Sequence, residues 1–177
     1  MPDDLIVPEP AEPPLAGPER ATLEGWLEYH RATLLLTCDG LTGEQRQRRP
    51  VATSLMSLHG MVRHLAEVER NWFQRVLGQE PGMAGIFVSD EAPNGDWGPL
   101  DGAGWAADLV TWQAECAQSR LMAARHGLDD VGAGVRGGLR VTCSLRWIYN
   151  HMIEEYARHN GHADLIRELV AGPAAVP

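Results

Sequence analysis

Apolar residues recur every three or four positions through four stretches of the chain, and Gly- and Pro-rich segments separate those stretches. The first is expected to turn helical near Glu19. Leu23, Trp26, Leu27, His30 and Leu34 follow i, i+3, i+4 spacing, and Asp39-Gly40 should close the helix. LTGEQRQRRPVATS at 41–54 is polar, contains Pro50 and reads as a connection, with Thr53 or Ser54 placed to cap the next helix. Leu55, Leu58, Val62, Leu65, Trp72 and Val76 form a second stripe, which Gly78 and Pro81 should stop. Residues 81–103, which contain GIFVSDEAPNGDWGPLDG, make a long loop: either a lid over a site or a surface insertion.

A third helix from Gly104 to His126 would gather Ala106, Leu109, Val110, Ala117, Leu121 and Ala124 on one side. GLDDVGAGVRGGLRVT at 127–142 reads as a Gly-rich connection, and no segment shows a convincing strand alternation. Ser144 should cap a last helix running to about Val170, ended by Gly172-Pro173. The expected fold is all-α, a four-helix bundle over residues 19–172. Residues 1–18 hold six prolines and several acids, and are expected to be a disordered or loosely draped arm.

Composition narrows the partners. A chain of 177 residues can bury one real core. It has no run of 18 apolar residues, so no membrane partner is expected. The N-terminus lacks the basic and apolar regions of a signal peptide, which makes the cytoplasm the default location. Net charge is −9, and every basic residue is Arg, spread along the chain apart from RQRR at 46–49. A nucleic-acid partner is therefore not expected. The three cysteines show no CxxC spacing, so neither a disulfide framework nor a cysteine zinc site is signalled.

Candidate chemistry concentrates in HMIEEYARHNGHADLIRELV at 151–170. At about 100° per residue, Ile148, Met152, Ile166 and Val170 share one narrow stripe of the last helix. Glu155 and His159 fall in the centre of that stripe, with His151 and His162 at its border. An isolated buried carboxylate costs several kcal/mol or becomes protonated. Either the seam opens into a wet cavity or a cation neutralises the carboxylate. Residues at i and i+4 have Cβ atoms about 5–6 Å apart, close enough for both side chains to reach one ion. A facing helix must then add a ligand. His64, at the edge of the second stripe, is the best candidate, with His59 and His30 as alternatives.

These residues also carry a resemblance. VRHLAEVERNWF at 62–73, SLRWIYNHMIEEYARHNGHADLIREL at 144–169 and TLEGWLEYHRATLLLTCDGLT at 22–42 resemble the DinB-like superfamily. The resemblance implies a bundle of up-down-down-up connectivity with a divalent metal, zinc or nickel. Many such proteins place H-x-x-x-H on the last helix; here Glu155 stands at the first position. That departure is similar to the metal-binding domain of mycothiol-dependent maleylpyruvate isomerases, and implies the ligand set His64, Glu155 and His159. Those isomerases carry a further C-terminal domain that is not seen here, so the broader implication is a thiol S-transferase using mycothiol or a related low-molecular-weight thiol. A homodimer is compatible with the resemblance.

Roles for other residues are expectations of the same reading. Two histidines and a glutamate leave a zinc site formally at +1, suited to a thiolate in an open fourth position. The thiolate would attack a small electrophile held under the 81–103 loop. His162 is expected to orient a ligand or shuttle a proton, or simply to lie at the helix border. Tyr149 and Tyr156 would line the pocket or pack, Trp26 and His30 would form an opposing wall, and Arg120 would bind a substrate carboxylate. A non-catalytic metal module and a metal-dependent hydrolase would need the same ligands.

Overall fold

Helix α1, Glu19–Cys38, turns Leu27, Leu34 and Cys38 into the core and ends where Gly40 takes a left-handed φ of 67°. The computed structural model describes residues 9–80, 82–98, 100, 104–136 and 139–171. Residues 9–17 have no regular structure, yet Pro13 is buried against α1, where a side chain at Gly25 would meet Pro13 and Pro14. Residues 1–8 and the expected Gly172-Pro173 stop lie outside the described residues.

The 41–54 connection contains a short helix, α2, Gly43–Gln47, that hydrophobic spacing does not reveal. Its signal is a capping box: Thr42 Oγ1 accepts from Gln45 N at 3.2 Å, and Gln45 Oε1 accepts from Thr42 N at 2.9 Å. Helix α3, Leu58–Glu69, begins later than expected. Its cap is Ser57, whose hydroxyl accepts from Gly60 N at 3.0 Å, and neither Thr53 nor Ser54 has this role. Residues Arg70–Leu77 continue α3 as a π-helical segment. Trp72, Phe73, Val76 and Leu77 of this segment are all buried.

Helix α4, Trp105–Ala123, corrects the expected apolar face. Trp105, Leu109, Trp112, Cys116, Ser119 and Ala123 point inward, an alternating three- and four-residue spacing. Val110 and Leu121 are exposed, as are Ala106, Ala117 and Ala124. The expected stripe was phased on small alanines, and two tryptophans with far more apolar area set the real one.

The second correction is a β-hairpin. Val131–Arg136 (β1) pairs antiparallel with Leu139–Ser144 (β2) where a structureless connection was expected. Its alternation is hidden because the inward positions of β1 are glycines. A Cβ at Gly132 would sit 2.2 Å from Val76 O, and one at Gly134 would sit 2.6 Å from Val76 Cγ2. The strand lies flat on the π-helical segment, and only glycine fits there. Among the described residues the fold is thus mostly helical with one two-stranded sheet, and not purely α.

Helix α5, Leu145–Ala171, starts as expected, with Ser144 Oγ accepting from Trp147 N at 3.2 Å. It lies along α1, while α3 lies along α4. Leu27, Leu34, Leu58, Met61, Leu65, Phe73, Ile148, Met152 and Ile166 fill the shared core. Through this core runs a buried polar layer. Arg31 grips Glu69 with two hydrogen bonds of 2.8 and 2.6 Å. Glu69 also accepts from Tyr156 Oη at 2.8 Å, and Tyr156 accepts from Trp112 Nε1 at 2.9 Å. No helix among the described residues is long and apolar enough to cross a membrane.

Candidate metal centre

The seam between α3 and α5 carries the chemistry. His64, Glu155 and His159 each offer a ligand atom, and these atoms lie within 4.8 Å of one another. His159 Nε2 is 3.6 Å from Glu155 Oε2. Two donors on one tetrahedral zinc, each about 2.1 Å from it, would stand about 3.4 Å apart. The observed spacing suits that arrangement and is too long for a hydrogen bond.

His64 is oriented from behind. Its Nδ1 lies 2.8 Å from Asp96 Oδ2, so the proton sits on Nδ1 and the Nε2 lone pair is left for the site. This is the carboxylate–histidine pairing that fixes a metal ligand's tautomer. Asp96 is itself buried, and its Oδ1 accepts from Trp97 N at 3.0 Å. The Trp97 indole lies against both imidazoles, 4.8 Å from His64 and 5.9 Å from His159 by ring centroids.

His159 is the least satisfied group. It is 9% exposed, its Nδ1 has no partner, and its Nε2 has only the 3.6 Å carboxylate contact. Burial pushes its pKa down to about 4, helped by His64, His162 and Arg158, so the ring is neutral near pH 7. A buried imidazole without a partner costs about 1–3 kcal/mol, and a cation on a neutral nitrogen removes that cost. The residues present therefore fit a divalent metal: two imidazoles, one carboxylate, suitable spacing and a waiting lone pair. His162 lies 5.5 Å from His159 by ring centroids, and its buried Nδ1 also lacks a partner.

The loop that brings Asp96 and Trp97 here is pinned by one face of α3. Glu67 Oε1 accepts from the backbone N–H groups of Ile86, Phe87 and Val88 at 2.5–2.9 Å. Arg63 donates to Gly95 O at 2.9 Å and stacks 4.2 Å over Phe87. Arg49 binds the carbonyls of Trp97 and Gly98 at 2.5 and 2.6 Å. A Cβ at Gly60 would lie 3.1 Å from the Trp97 ring, so glycine permits the loop's close approach. Sequence reasoning singled out none of Gly60, Glu67, Asp96 and Trp97. The available signal was the GDW triplet in an otherwise unexplained long loop.

A family model described as mycothiol-S-transferase matches residues 22–172. The chain belongs to that family. No curated protein matches it. Membership places the chain among thiol transferases, with a thiol and a small molecule as the expected reactants.

Within this family member, the other candidate residues fall away from the three ligand candidates. Trp26 and His30 stack on each other, with ring centroids 5.9 Å apart, and His30 O accepts from Asn160 Nδ2 at 3.0 Å. Both stand on α1, which packs along α5, and His30 is not in the group formed by His64, Glu155 and His159. Tyr149 donates to Glu24 on α1 at 2.9 Å. Tyr156 is fully buried against Glu69, so it lines no open pocket, although it directly follows Glu155. Arg120 is on the exposed side of α4 and makes two 2.7 Å bonds to Glu28, which occupies the fork meant for a substrate carboxylate. His59, the alternative ligand, lies outside the His64, Glu155 and His159 group; its Nε2 faces Asp108 at 2.8 Å and its Nδ1 faces Gln47 Nε2 at 3.5 Å, so neither ring nitrogen is left over as Nε2 of His64 is.

Proposed function

We propose that the chain is a divalent-metal-dependent S-transferase that delivers a mycothiol-like thiol to a small electrophile, with His64, Glu155 and His159 holding the metal, zinc by preference of the donor set. The supporting fold reading is a single four-helix bundle of up-down-down-up connectivity over residues 19–172, with the hairpin as an addition. The observation that carries the proposal is the unpartnered, buried His159 beside Glu155 and His64, in a chain of the mycothiol S-transferase family.

A bound divalent cation would supply Lewis acidity that lowers the pKa of a thiol at the open fourth position. Glu155 contributes the one negative charge of the ligand set, leaving a net positive site that favours an anionic sulfur. Asp96 keeps His64 in the tautomer whose Nε2 lone pair faces the seam. Trp97 covers both imidazoles and excludes water from that side. His162, one turn from His159, would take the thiol's proton in this reading. The sulfur would come from the cosubstrate, since no cysteine belongs to the ligand group and burial raises all three thiols, Cys38 to about 12 and Cys116 and Cys143 also above their ordinary value. Such chemistry suits the cytoplasm, where small thiols stay reduced.

The test is conjugation. Zinc-loaded protein with mycothiol and an α-halocarbonyl should form the thioether well above the uncatalysed rate, and Glu155→Ala should abolish that gain. Absence of any conjugate across a panel of low-molecular-weight thiols would remove the transferase reading.

A further inference from the structure

The inward face of α4 tapers along its length. Trp105, Leu109 and Trp112 fill the space near its start, and Cys116, Ser119 and Ala123 leave room near its end. Helix α1 packs along α5, while α4 packs along α3 and the π-helical segment. Long polar side chains span the remaining gap between α1 and α4. Arg20 donates to the carbonyls of His126 and Ala123 at 2.7 Å, and Arg120 makes its two 2.7 Å bonds to Glu28. Beside these bridges lies a cavity of about 330 Å³, with Leu27, Phe73, Ala123 and Tyr149 among its walls. Tyr149 and Arg120, both expected to meet a substrate, line this cavity, and none of His64, Glu155 and His159 does.

The charges on the cavity wall are met inside the protein. Glu24 Oε1 accepts from Arg20 at 2.8 Å and from Tyr149 Oη at 2.9 Å. Glu28 accepts from Arg31 and Arg120, and Arg31 spends its other two bonds on Glu69. A charged ligand would have to break one of these pairs. One polar wall group is left over. Ser119 is fully buried, and its Oγ has no hydrogen-bond partner. It does not take even the backbone carbonyl one turn back, the usual recourse of a serine inside a helix. Small residues alone would leave only empty space; the unmet hydroxyl asks for a polar atom in it.

We propose that this cavity is a second small-molecule site, which binds an uncharged single-ring aromatic alcohol through Ser119. The ligand's hydroxyl pairs with Ser119 Oγ, and its ring lies among Leu27, Phe73, Ala123 and Tyr149. Phe73 and Tyr149 already meet edge-on at 5.9 Å, and a third ring extends that arrangement. The volume is at the small end for ligand pockets, which limits the occupant to about one ring. The site is independent of the transferase reading, and its test needs neither metal nor thiol.

Fluorine NMR titration of the metal-free protein tests this with three probes: 4-fluorophenol, fluorobenzene, which lacks the hydroxyl, and 4-fluorobenzoate, which carries a charge. Wild type should bind 4-fluorophenol saturably and more tightly than either of the others. Ser119→Ala should weaken 4-fluorophenol about fivefold and leave fluorobenzene unchanged. Ala123→Leu fills the cavity from α4 and should abolish binding of both, with circular dichroism to show that the helices remain. The Ser119→Ala comparison stands by itself if the larger side chain unfolds the protein. No saturable 4-fluorophenol binding by wild type would overturn the proposal and leave the Ser119 hydroxyl to water. An unchanged ratio of 4-fluorophenol to fluorobenzene affinity in Ser119→Ala would also reject it, as would tighter binding of 4-fluorobenzoate than of 4-fluorophenol. Equal 4-fluorophenol binding by wild type and a folded Ala123→Leu would place the ligand elsewhere and reject it too.

Discussion

Glu155 and Tyr156 are neighbours in sequence and serve opposite kinds of buried polar cluster. Tyr156 joins Glu69, Arg31 and Trp112, where every charged group has a short partner. Glu155 joins His64 and His159, where the closest polar contacts between the two α5 residues are 3.6 Å and a ring nitrogen has no partner at all. The first cluster is complete within the protein and acts as structure. The second is incomplete within the protein, and a group from outside would complete it. Burial does not mark the incomplete cluster, because the satisfied carboxylate, Glu69, is more deeply buried than Glu155. Satisfaction of hydrogen-bonding capacity does.

The strongest way to break this comparison is to remove one carboxylate from each cluster. Glu69→Ala removes two of the three hydrogen bonds of the buried Arg31, leaving it only the half-exposed Glu28, and should cost about 3–5 kcal/mol, read by denaturant unfolding. Glu155→Ala should change the stability of the metal-free protein by less than about 1 kcal/mol, since no short bond is lost. Similar losses in both variants would erase the distinction.

Next in size is the brace on His64. Asp96→Asn should leave the fold intact and weaken metal binding about 10–100-fold, measured by competition with a chelator. Unchanged affinity would mean that the loop does not serve the site. Gly60→Ala probes the same loop by shape. A helical Gly→Ala change ordinarily stabilises by about 0.5–1 kcal/mol. Here the new methyl meets Trp97 at 3.1 Å, and the expected result is a net loss of about 1 kcal/mol, with faster proteolysis of residues 82–98.

The four long helices were legible because their apolar spacing spans many turns. The pair Glu155 and His159 was legible because both interrupt a seam that is otherwise apolar. The α4 face was misplaced because alanines carry little phase information beside Trp105 and Trp112. The hairpin was invisible because Gly132 and Gly134 replace the inward side chains that would show alternation. Asp96 and Trp97 were missed for a different reason: a loop residue's contact with a distant helix leaves no period in the sequence. The Arg120–Glu28 pair was not legible because Glu28 lies 92 positions away on another helix.

The smallest expected effect sharpens that last point. Arg120→Ala removes a half-exposed pair and should cost no more than about 0.2–1 kcal/mol. Burial raises the Glu28 carboxyl, but the hydrogen bond and charge of Arg120, with those of Arg31, more than offset this and hold it below its ordinary 4.5. Its folded pKa is therefore depressed. The pair's contribution is present above pH 4.5 and is lost as pH falls through the folded value. The stability gap between wild type and Arg120→Ala should close over that acid range; a gap independent of pH would point to packing instead.

The most direct test of the central claim is metal content. Wild type, Glu155→Ala and His159→Ala would be loaded with zinc, dialysed and measured by elemental analysis, with circular dichroism as the folding control. The account predicts about one zinc per wild-type chain and near-complete loss in both variants at unchanged helicity. Equal zinc in all three proteins would contradict it.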